Sequence, residues 1–458
     1  MKKGKNILCI GAGYVGGPTM AVMAMKCPGY TVTVVDIDED RIAAWNSDEL
    51  PVYEPGLDEV VRETRDRNLF FSTDIPGGIR KADIIFVSVN TPVKTFGNGA
   101  GKAADLQYWE KTAREILEHS DSDKIVVEKS TLPVRTAAAM ERILHSGGGK
   151  AHFEVLSNPE FLAEGTAISD LENPARVLIG GRDTETGRAA VKELVELHSH
   201  WVPEEKILTV DVWSSELSKL AANAMLAQRV SSINSLSALC EATEADIEEV
   251  ARAVGMDPRV GPRFLSAGVG FGGSCFKKDI LNLVYLCESY GLREAASYWQ
   301  AVVGINEYQQ DRFVARMIAN MFNTVAGKRI GVLGFAFKAH TGDTRESPAI
   351  RICRHLAEEK AEVVVSDPKA LDNGRRELKD LEGSVEFVED PYAAASGAHA
   401  LAVLTGWPEY RELDYGRILK SMTKPPFLFD GRNVLDHRAL FDLGFNVHAV
   451  GKPALSHL

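Results

Sequence analysis

A cysteine stands where a glycine-rich segment is predicted to become a helix. Residues 268–279 contain four glycines, followed by Ser274, Cys275, Lys277, Lys278 and Asp279. A helix N-terminus and nearby cations favour the thiolate, which is the nucleophilic form of cysteine. A thiolate can add to an aldehyde, and this addition allows the carbon to lose a second hydride. The alternative is a small apolar cysteine buried in the core. A segment with so many glycines and charged residues is poorly suited to a core.

A lysine and an asparagine interrupt an otherwise apolar helical pattern. Lys219 and Asn223 are spaced i, i+4, so they lie on one face of the helix predicted there. A lysine on a helix is usually only a solvated charge. The chemistry open to Cys275 favours a functional interpretation instead, because a lysine can stabilise an oxyanion.

Glycines with the spacing of a dinucleotide-binding turn follow the first apolar run. Gly11, Gly13 and Gly16 come after residues 6–10, and Asp36 ends the next β-branched run, residues 31–35. Such a turn lets a pyrophosphate approach the backbone at a helix N-terminus, and the acidic residue binds the ribose. Asp36 therefore favours NAD over NADP, although the nearby Arg41 weakens that preference. A flavin and a chance glycine turn remain open from this pattern alone.

Other polar residues follow predicted strands. Glu160 and Glu164 lie in residues 158–165, after a strand ending near residue 156, and Ser130 and Thr131 follow another. Open α/β sheets place ligands at the carboxyl ends of their strands. Lys338 and Arg432 have the same placement in the C-terminal part and could neutralise a diphosphate. For both cations a surface salt bridge is the alternative.

The order of the predicted strands and helices that would position these residues indicates the fold class. It is an α/β protein with two Rossmann-like doubly wound domains joined by a central long-helix region. Predicted strands cover residues 6–10, 31–35, 83–89, 124–127, 176–179, 328–335, 362–366, 400–404 and 427–429. Predicted helices cover residues 17–26, 212–241 and 280–321, and Ser347 followed by Pro348 should start another. The predicted domains are residues 1–211, 212–325 and 326–458.

Composition excludes several classes of protein. The 458 residues carry a formal net charge of −12, which argues against binding to nucleic acid or to a membrane surface. No run of about 18 apolar residues occurs, and glycines interrupt the first apolar run, so neither a membrane span nor a signal peptide is expected. Six scattered cysteines predict neither a metal site nor disulfides, and most should be buried thiols. A cytoplasmic location is expected.

Three segments together resemble the UDP-glucose/GDP-mannose dehydrogenase family. They are NPEFLAEG at residues 158–165, GFGGSCFKKD at residues 270–279 and GFAFKAHTGDTRES at residues 334–347, with Lys219 and Asn223 between the first two. The resemblance covers essentially the whole chain and is closest to the UDP-glucose branch. It implies oxidation of UDP-glucose to UDP-glucuronate by two NAD.

The resemblance also implies residue roles. Cys275 would form a thiohemiacetal and then a thioester, and Lys219 would stabilise the oxyanion. Glu160 would act as acid and base, Asn223 would orient the sugar, and Asp279 and Thr131 would position water and relay protons. The expected cofactor-binding residues are Gly11, Gly13, Tyr14, Val15, Gly16, Asp36, Arg41, Val89, Asn90, Thr91, Ser130, Glu164 and Arg345. The expected substrate-binding residues are Glu160, Phe161, Leu162, Ala163, Lys219, Asn223, Arg259, Phe264, Ser266, Gly272, Phe337, Lys338 and Arg432, with Arg259 reaching the substrate of a neighbouring subunit.

The chain departs from the family pattern at a few positions. Ser266 stands where related proteins often carry a lysine, and Ala339 with His340 replaces a more charged pair, so nucleotide affinity could differ. Two alternatives stay open: the same chemistry on UDP-N-acetylmannosamine or GDP-mannose, and a catalytically silent protein that binds nucleotide sugars. A homodimer or homohexamer built on the central helices is expected.

Overall fold

The computed structural model describes residues 4–148 and 151–458 of the chain. The chain folds into two compact units, Met1–Ala222 and Asn223–Leu458, and the boundary between them falls within one long helix.

The first unit is built on an eight-stranded sheet. Its strands are β1 (Asn6–Ile10), β2 (Thr31–Val35), β3 (Leu69–Ser72), β4 (Ile84–Val87), β5 (Lys124–Glu128), β6 (Phe153–Ser157), β7 (Val177–Gly181) and β8 (Ile207–Asp211). Their order is β3-β2-β1-β4-β5-β6-β7-β8. Neighbouring strands are parallel except β6 and β7, which pair antiparallel through Ser157 and Gly180. The strand order reverses between β1 and β4, where open α/β sheets bind their ligands.

Helices cover both faces of this sheet. They are α1 (Gly16–Lys26), α2 (Glu39–Trp45), α3 (Leu57–Thr64), α4 (Ile75–Lys81), α5 (Gln107–His119), α6 (Thr136–Leu144), α7 (Ala167–Glu172) and α8 (Glu185–His198), and a 3₁₀ turn follows at Glu204–Lys206. Successive strand residues point to opposite faces. Ile7 and Cys9 of β1 accordingly belong to one core, and Leu8 and Ile10 belong to the other.

Long helices follow the first sheet. They are α9 (Val212–Thr243), α10 (Ile247–Gly255), α11 (Phe276–Ser289) and α12 (Arg293–Asn320). Within the second unit, Ala227 of α9, Val284 of α11 and Val303 of α12 share one apolar core. The single helical pattern predicted over residues 280–321 is two helices, because Gly291 has φ +74° and ends the helical geometry between them.

The second unit ends in a six-stranded parallel sheet. Its strands are β9 (Arg329–Leu333), β10 (Glu362–Ser366), β11 (Val385–Phe387), β12 (Ala400–Val403), β13 (Phe427–Asp430) and β14 (Asn446–Ala449), in the order β11-β10-β9-β12-β13-β14. The helices are α13 (Pro348–Glu358), α14 (Leu371–Glu377), α15 (Pro391–Ala395), α16 (Tyr415–Ser421) and α17 (His437–Leu443), with 3₁₀ turns at Lys379–Leu381 and Pro408–Arg411. Ser347 caps α13 as predicted, accepting a hydrogen bond from the Ala349 N–H at 3.3 Å.

The predicted fold class is confirmed: two Rossmann-like sheets are separated by long helices. The three domain boundaries remain predictions. In the described part of the chain, no helix has both the length and the apolar character needed to cross a bilayer.

Candidate active site

The turn after β1 has the geometry of a dinucleotide-binding turn. Gly11 has φ +110°, and a Cβ there would collide with the backbone of Ser88. A Cβ at Gly16 would collide with the carbonyl of Gly11, whereas a Cβ at Gly13 would meet no heavy atom within 4 Å. Two of the glycines are therefore required by the fold. The open surface at Gly13, just before α1, fits a pyrophosphate.

Asp36, directly after β2, is 8% exposed and anchors this turn. One carboxylate oxygen accepts the N–H of Ala12 at 2.8 Å, and the other accepts the N–H of Asp38 at 3.1 Å. Arg41 forms ion pairs of 3.1 Å with both Asp36 and Asp38. Because these carboxylates already neutralise its guanidinium, Arg41 is poorly placed to attract a 2′-phosphate, and the site fits NAD better than NADP.

Two loops meet at the same edge of the sheet. Val89, Asn90 and Thr91 follow β4, and Ser130 and Thr131 follow β5. The hydroxyl of Ser130 donates to the carbonyl of Val89 at 2.7 Å, and the hydroxyl of Thr91 donates to the carbonyl of Thr131 at 3.1 Å. The structure thus joins residues that the sequence predicted only separately. Near the glycine turn, which includes Val15, the hydroxyl of Tyr14 donates to the carbonyl of Tyr53 at 3.1 Å.

A buried ion pair lies at the end of β6. The Lys219 Nζ is 3.2 Å from the Glu160 Oε1, and the two residues are 4% and 9% exposed. Among the described residues, the other oxygen of Glu160 has no hydrogen-bond partner. The ring of Phe161 lies 5.4 Å from the Lys219 Nζ and 3.8 Å from the guanidinium of Arg176. The pair combines a cation with a carboxylate oxygen that can still accept a proton.

Side chains outside the segment from Glu160 to Glu164 hold this segment in place. The segment includes Phe161, Leu162 and Ala163. Glu54 is buried, and its carboxylate accepts the N–H of Gly165 at 2.7 Å and that of Ala167 at 3.1 Å. Asp170 accepts the N–H of Ala163 at 3.0 Å. The sequence interpretation missed Glu54, since 111 residues separate it from Gly165 and no pattern connects them.

Cys275 is the N-cap residue of α11, and its side chain is exposed. Its sulfur lies 3.5 Å from the Ser274 hydroxyl, and its carbonyl accepts the N–H of Asp279 at 2.9 Å. The predicted helix start is therefore confirmed. The positive end of a helix dipole favours a thiolate. In contrast, burial raises the pKa of the Cys9 and Cys27 thiols to about 12.

The lysines after Cys275 contribute less than the sequence suggested. Lys277 lies 3.0 Å from Glu346 and 3.5 Å from Glu307. Lys278 lies 3.1 Å from Asp279. Nearby carboxylates compensate both charges, so the helix N-terminus is the clearer source of thiolate stabilisation.

Asn223 and Asp279 form a buried hydrogen bond. The Asn223 amide donates to the Asp279 carboxylate at 2.6 Å, and the residues are 7% and 1% exposed. Asp279 lies one turn into α11 from Cys275. The second unit thus brings together three predicted side chains: an exposed thiol, an amide and a buried acid.

Amide side chains hold the glycine-rich segment before Cys275. Asn306 accepts the N–H of Phe271 at 2.8 Å and donates to its carbonyl at 3.0 Å. Gln309 donates to the carbonyl of Gly268 at 2.8 Å. Gly270 has φ +115°, and a Cβ there would come within 2.7 Å of the Asn306 Oδ1. The sequence interpretation missed these amides, although polar residues within the helix pattern of α12 were a signal.

Arg432 joins the same segment to the second sheet. Its guanidinium donates to the carbonyls of Leu404, Gly270 and Phe337 at 2.7, 3.1 and 3.3 Å. Burial lowers the pKa of Arg432 to about 10, so the side chain stays cationic at neutral pH. Its charge is compensated by carbonyl groups, not by a surface salt bridge. A Cβ at Gly272 would lie 2.8 Å from the Phe337 Cβ.

Several other predicted residues are exposed: three belong to the predicted substrate set, and Arg345 belongs to the predicted cofactor set. Arg259 is exposed and binds Asp257 at 2.6 Å, and Arg345 is exposed and binds Asp343 at 2.6 Å. Phe264 and Ser266 are exposed, and the Lys338 Nζ lies 5.5 Å from the centre of the Phe337 ring.

The second sheet has an aspartate in the position of Asp36. One oxygen of Asp367 accepts the N–H of Phe335 at 2.7 Å, that of Ala336 at 3.0 Å and the indole N–H of Trp407 at 3.1 Å. The other accepts the N–H groups of Lys369 and Ala370, both at 2.8 Å. With five donors on two oxygens, Asp367 has little capacity left for a ribose hydroxyl. The dinucleotide-binding geometry therefore belongs to the first sheet.

No set of three or more His, Cys, Asp or Glu side chains in the described residues is arranged to hold a metal ion.

Known proteins match the chain along its length. Residues 5–202, 213–308 and 331–437 match the NAD binding, central and UDP binding domains of the UDP-glucose/GDP-mannose dehydrogenase family. The chain is 60% identical to UDP-glucose 6-dehydrogenase 5 of Oryza sativa subsp. japonica, covering 98% of the chain and 97% of that protein. It is 58% identical to UDP-glucose 6-dehydrogenase 1 of Arabidopsis thaliana, covering 99% and 98%. The solved UDP-glucose dehydrogenase of the hyperthermophilic archaeon Pyrobaculum islandicum is 31% identical, with a TM-score of 0.86 and 98% of each chain covered.

Proposed function

The chain belongs to the UDP-glucose/GDP-mannose dehydrogenase family, and we infer from this that it oxidises UDP-glucose to UDP-glucuronate with NAD. The identity of 60% to a UDP-glucose 6-dehydrogenase over nearly the whole chain carries this assignment. Residues 5–202 match the NAD binding domain of the family, and this match identifies NAD as the cofactor. The glycine turn and Asp36 fit that cofactor in their geometry.

The reaction removes four electrons from one carbon. The C6 alcohol loses a hydride and a proton to give an aldehyde, and a thiol adds to the aldehyde to give a thiohemiacetal. The thiohemiacetal then loses a second hydride and its hydroxyl proton to give a thioester. Water then cleaves the C–S bond, releasing the carboxylate and the thiol. NAD would supply the hydride acceptor for each oxidation, so each UDP-glucose would consume two NAD and one water and release two NADH and three protons.

We propose that Cys275 is the nucleophile, because it is the exposed thiol at the N-terminus of a helix. Asn223 orients the sugar, and Asp279, which holds the Asn223 amide at 2.6 Å, positions water and relays protons. We propose the role of positioning water for Thr131 as well. Thr131 also relays protons. Phe337, Lys338 and Arg432 bind the UDP portion, in the segment that matches the UDP binding domain of the family.

For the first unit, we propose that Lys219 stabilises the oxyanion formed at C6 and that Glu160 moves protons. A buried ammonium stabilises a developing negative charge more strongly than an exposed one, because the surrounding dielectric is low. The Glu160 oxygen without a partner can take a proton from water during thioester hydrolysis. Glu164 would help to enclose the cofactor, and the same role is proposed for Arg345 of the second unit.

A homodimer or homohexamer is proposed as the assembled form. Met225 and Leu239 of α9 are 61% and 59% exposed, and apolar side chains exposed on the same helix fit burial against a second copy. Light scattering after size-exclusion chromatography measures the mass. The expected cytoplasmic location remains a prediction that cell fractionation would test.

The deciding experiment measures NADH by absorbance with purified protein and limiting UDP-glucose. We expect two NADH for each sugar, and lower initial rates with UDP-N-acetylmannosamine and GDP-mannose. One NADH per sugar would contradict the four-electron reaction. Absence of turnover with all three substrates would instead support a silent binding protein.

A further inference from the structure

A second buried lysine lies next to the candidate active site. Lys129 directly follows β5 and is 5% exposed. Its Nζ donates to the Asn158 Oδ1 at 3.0 Å, and Asn158 is 1% exposed. The Asn158 side chain also donates to the carbonyl of Leu178 at 2.8 Å, and its N–H donates to the carbonyl of Glu128 at 2.9 Å. These bonds fix the orientation of the amide, so its oxygen faces the lysine.

Asn158 begins the segment that carries Glu160. The two residues are separated only by Pro159, which is buried, and Glu160 is 9% exposed. Because proline fixes φ, the position of Asn158 constrains the direction in which Glu160 leaves the strand. Lys129 therefore acts on Glu160 through one hydrogen bond and a short, stiff piece of backbone.

Among the described residues, the carboxylate that contributes most to the electrostatic surroundings of Lys129 is that of Glu160. The groups facing it are Glu160, Lys219 on α9, the Cys9 thiol on β1 and the His198 imidazole on α8. Burial raises the pKa of Cys9 to about 12 and lowers that of His198 to about 4, so both are neutral near pH 7. Two ammonium groups thus share Glu160.

Burying an ammonium group costs a large amount of free energy. In an ordinary buried ion pair each ammonium has its own carboxylate, whereas Lys129 shares one carboxylate with a second lysine. Burial lowers the pKa of Lys129 to about 8, and the nearby Glu160 carboxylate opposes this effect. Lysines with such perturbed ionisation concentrate at functional sites.

We propose that Lys129 is a positioning residue for Glu160, which it orients through Asn158 and attracts by its own positive charge. The inference rests on the acid and base role proposed for Glu160. When Lys129 loses its proton, Glu160 loses part of its electrostatic support, so turnover depends on Lys129 being charged. Activity should then fall as the pH rises above about 8.

The first test replaces the ammonium with an apolar group of similar length. We expect Lys129→Met to lower kcat by about tenfold to a hundredfold, as for a misplaced active-site group, with little change in the KM for NAD. The alkaline decrease in activity of the wild-type enzyme should be absent from the variant. Initial rates of NADH formation between pH 6.5 and 10 measure both effects.

Lys124 provides a matched control. It is also buried, at 3% exposure, but it begins β5, and its Nζ donates to the carbonyl of Ala82 at 2.7 Å and to the Ser122 hydroxyl at 2.9 Å. The five residues of β5 place it about 16 Å from Lys129. Lys124→Met should lose thermal stability but keep the wild-type kcat and pH profile.

If Lys129→Met fails to fold, the variant Asn158→Asp tests whether Lys129 positions Glu160. Asn158→Asp places a carboxylate 3.0 Å from the Lys129 Nζ, and this should shift the alkaline limb upward by about one pH unit. An unmoved limb would overturn the proposal. So would an alkaline limb that persists in Lys129→Met, whatever its kcat, or a wild-type enzyme without such a limb. Two NADH per UDP-glucose in the wild type would leave the proposed function standing in each of these cases.

Discussion

The cysteine thiols share one chemistry but lie in different environments. Burial raises the pKa of Cys353 to about 12, and it also raises the pKa of Cys240 and of Cys287. Cys275 is exposed at a helix N-terminus. The environment thus separates one candidate nucleophile from thiols that stay protonated and unreactive.

We predict that Cys275→Ala loses overall turnover by several orders of magnitude, as expected when a nucleophile is removed. It should still bind UDP-glucose, because the residues proposed to hold the nucleotide are unchanged. Titration calorimetry measures the binding, and NADH absorbance measures the turnover. Cys287→Ala, which changes a half-buried thiol of the same helix, should keep wild-type activity. A fully active Cys275→Ala enzyme would exclude the covalent step.

The local structure around individual candidate residues was predictable where a short sequence pattern determines it. The glycine turn with Asp36 and the glycine-rich approach to Cys275 are patterns of this kind. Lys129 and Glu54 act on partners 29 and 111 residues away. Their importance lies in burial and in a hydrogen bond to a distant segment, and neither is visible in a local pattern.

At the scale of elements, strands enclosed in the sheets were predictable, and an exposed edge strand was not. The predicted bounds of β1, β2 and β10 agree with the structure because apolar, β-branched runs end at turn residues. In β8 four of the five residues are exposed, so no apolar run marks this strand. The reversal of β7 relative to β6 was also unpredictable, since side-chain alternation carries no information on strand direction.

The contact between α12 and the glycine-rich segment yields a prediction at this scale. Asn306→Leu leaves the N–H and the carbonyl of Phe271 unpaired in a buried place, which should cost about 2 to 4 kcal/mol of stability. We also expect kcat to fall by about tenfold or more, because Cys275 is carried by the loosened segment. Urea unfolding and NADH initial rates measure the two effects.

Asn320→Leu is the matched control for that variant. Asn320 ends the same helix, is exposed, and donates only to the carbonyl of Arg316 at 2.8 Å. It should retain wild-type kcat. An Asn306→Leu enzyme with unchanged kcat would show that the contact serves folding alone.

At the scale of the whole molecule, buried histidines make stability depend on pH. His448 of β14 is 3% exposed and stacks on Phe429, with ring centres 5.0 Å apart. Burial, with a smaller contribution from Arg316, lowers its pKa to about 4. The unfolded chain therefore takes up a proton near pH 6.5, before the folded chain does. The stability contributed by neutral His448 is complete above pH 6.5 and is lost as the pH falls towards 4, by about 3 kcal/mol.

His448→Phe should therefore reduce the loss of stability between pH 7 and pH 4.5. The ring can still stack on Phe429, and no nitrogen remains to be protonated. Urea midpoints at the two pH values measure the difference, with His145→Phe, at an exposed position, as the control. An identical loss in His448→Phe and in the wild type would contradict the assignment. His198, whose pKa burial also lowers to about 4, should account for part of the remaining loss.

The saturated carboxylate of Asp367 has a consequence for the timing of the cycle. Because Asp367 already accepts five hydrogen bonds, the ribose site proposed at Asp36 would hold one dinucleotide at a time in each chain. The spent NADH must depart and a fresh NAD must arrive midway through every turnover. During that exchange the half-oxidised sugar would remain bound through the thiol adduct proposed at Cys275, and the adduct would need to outlast only the exchange of cofactors.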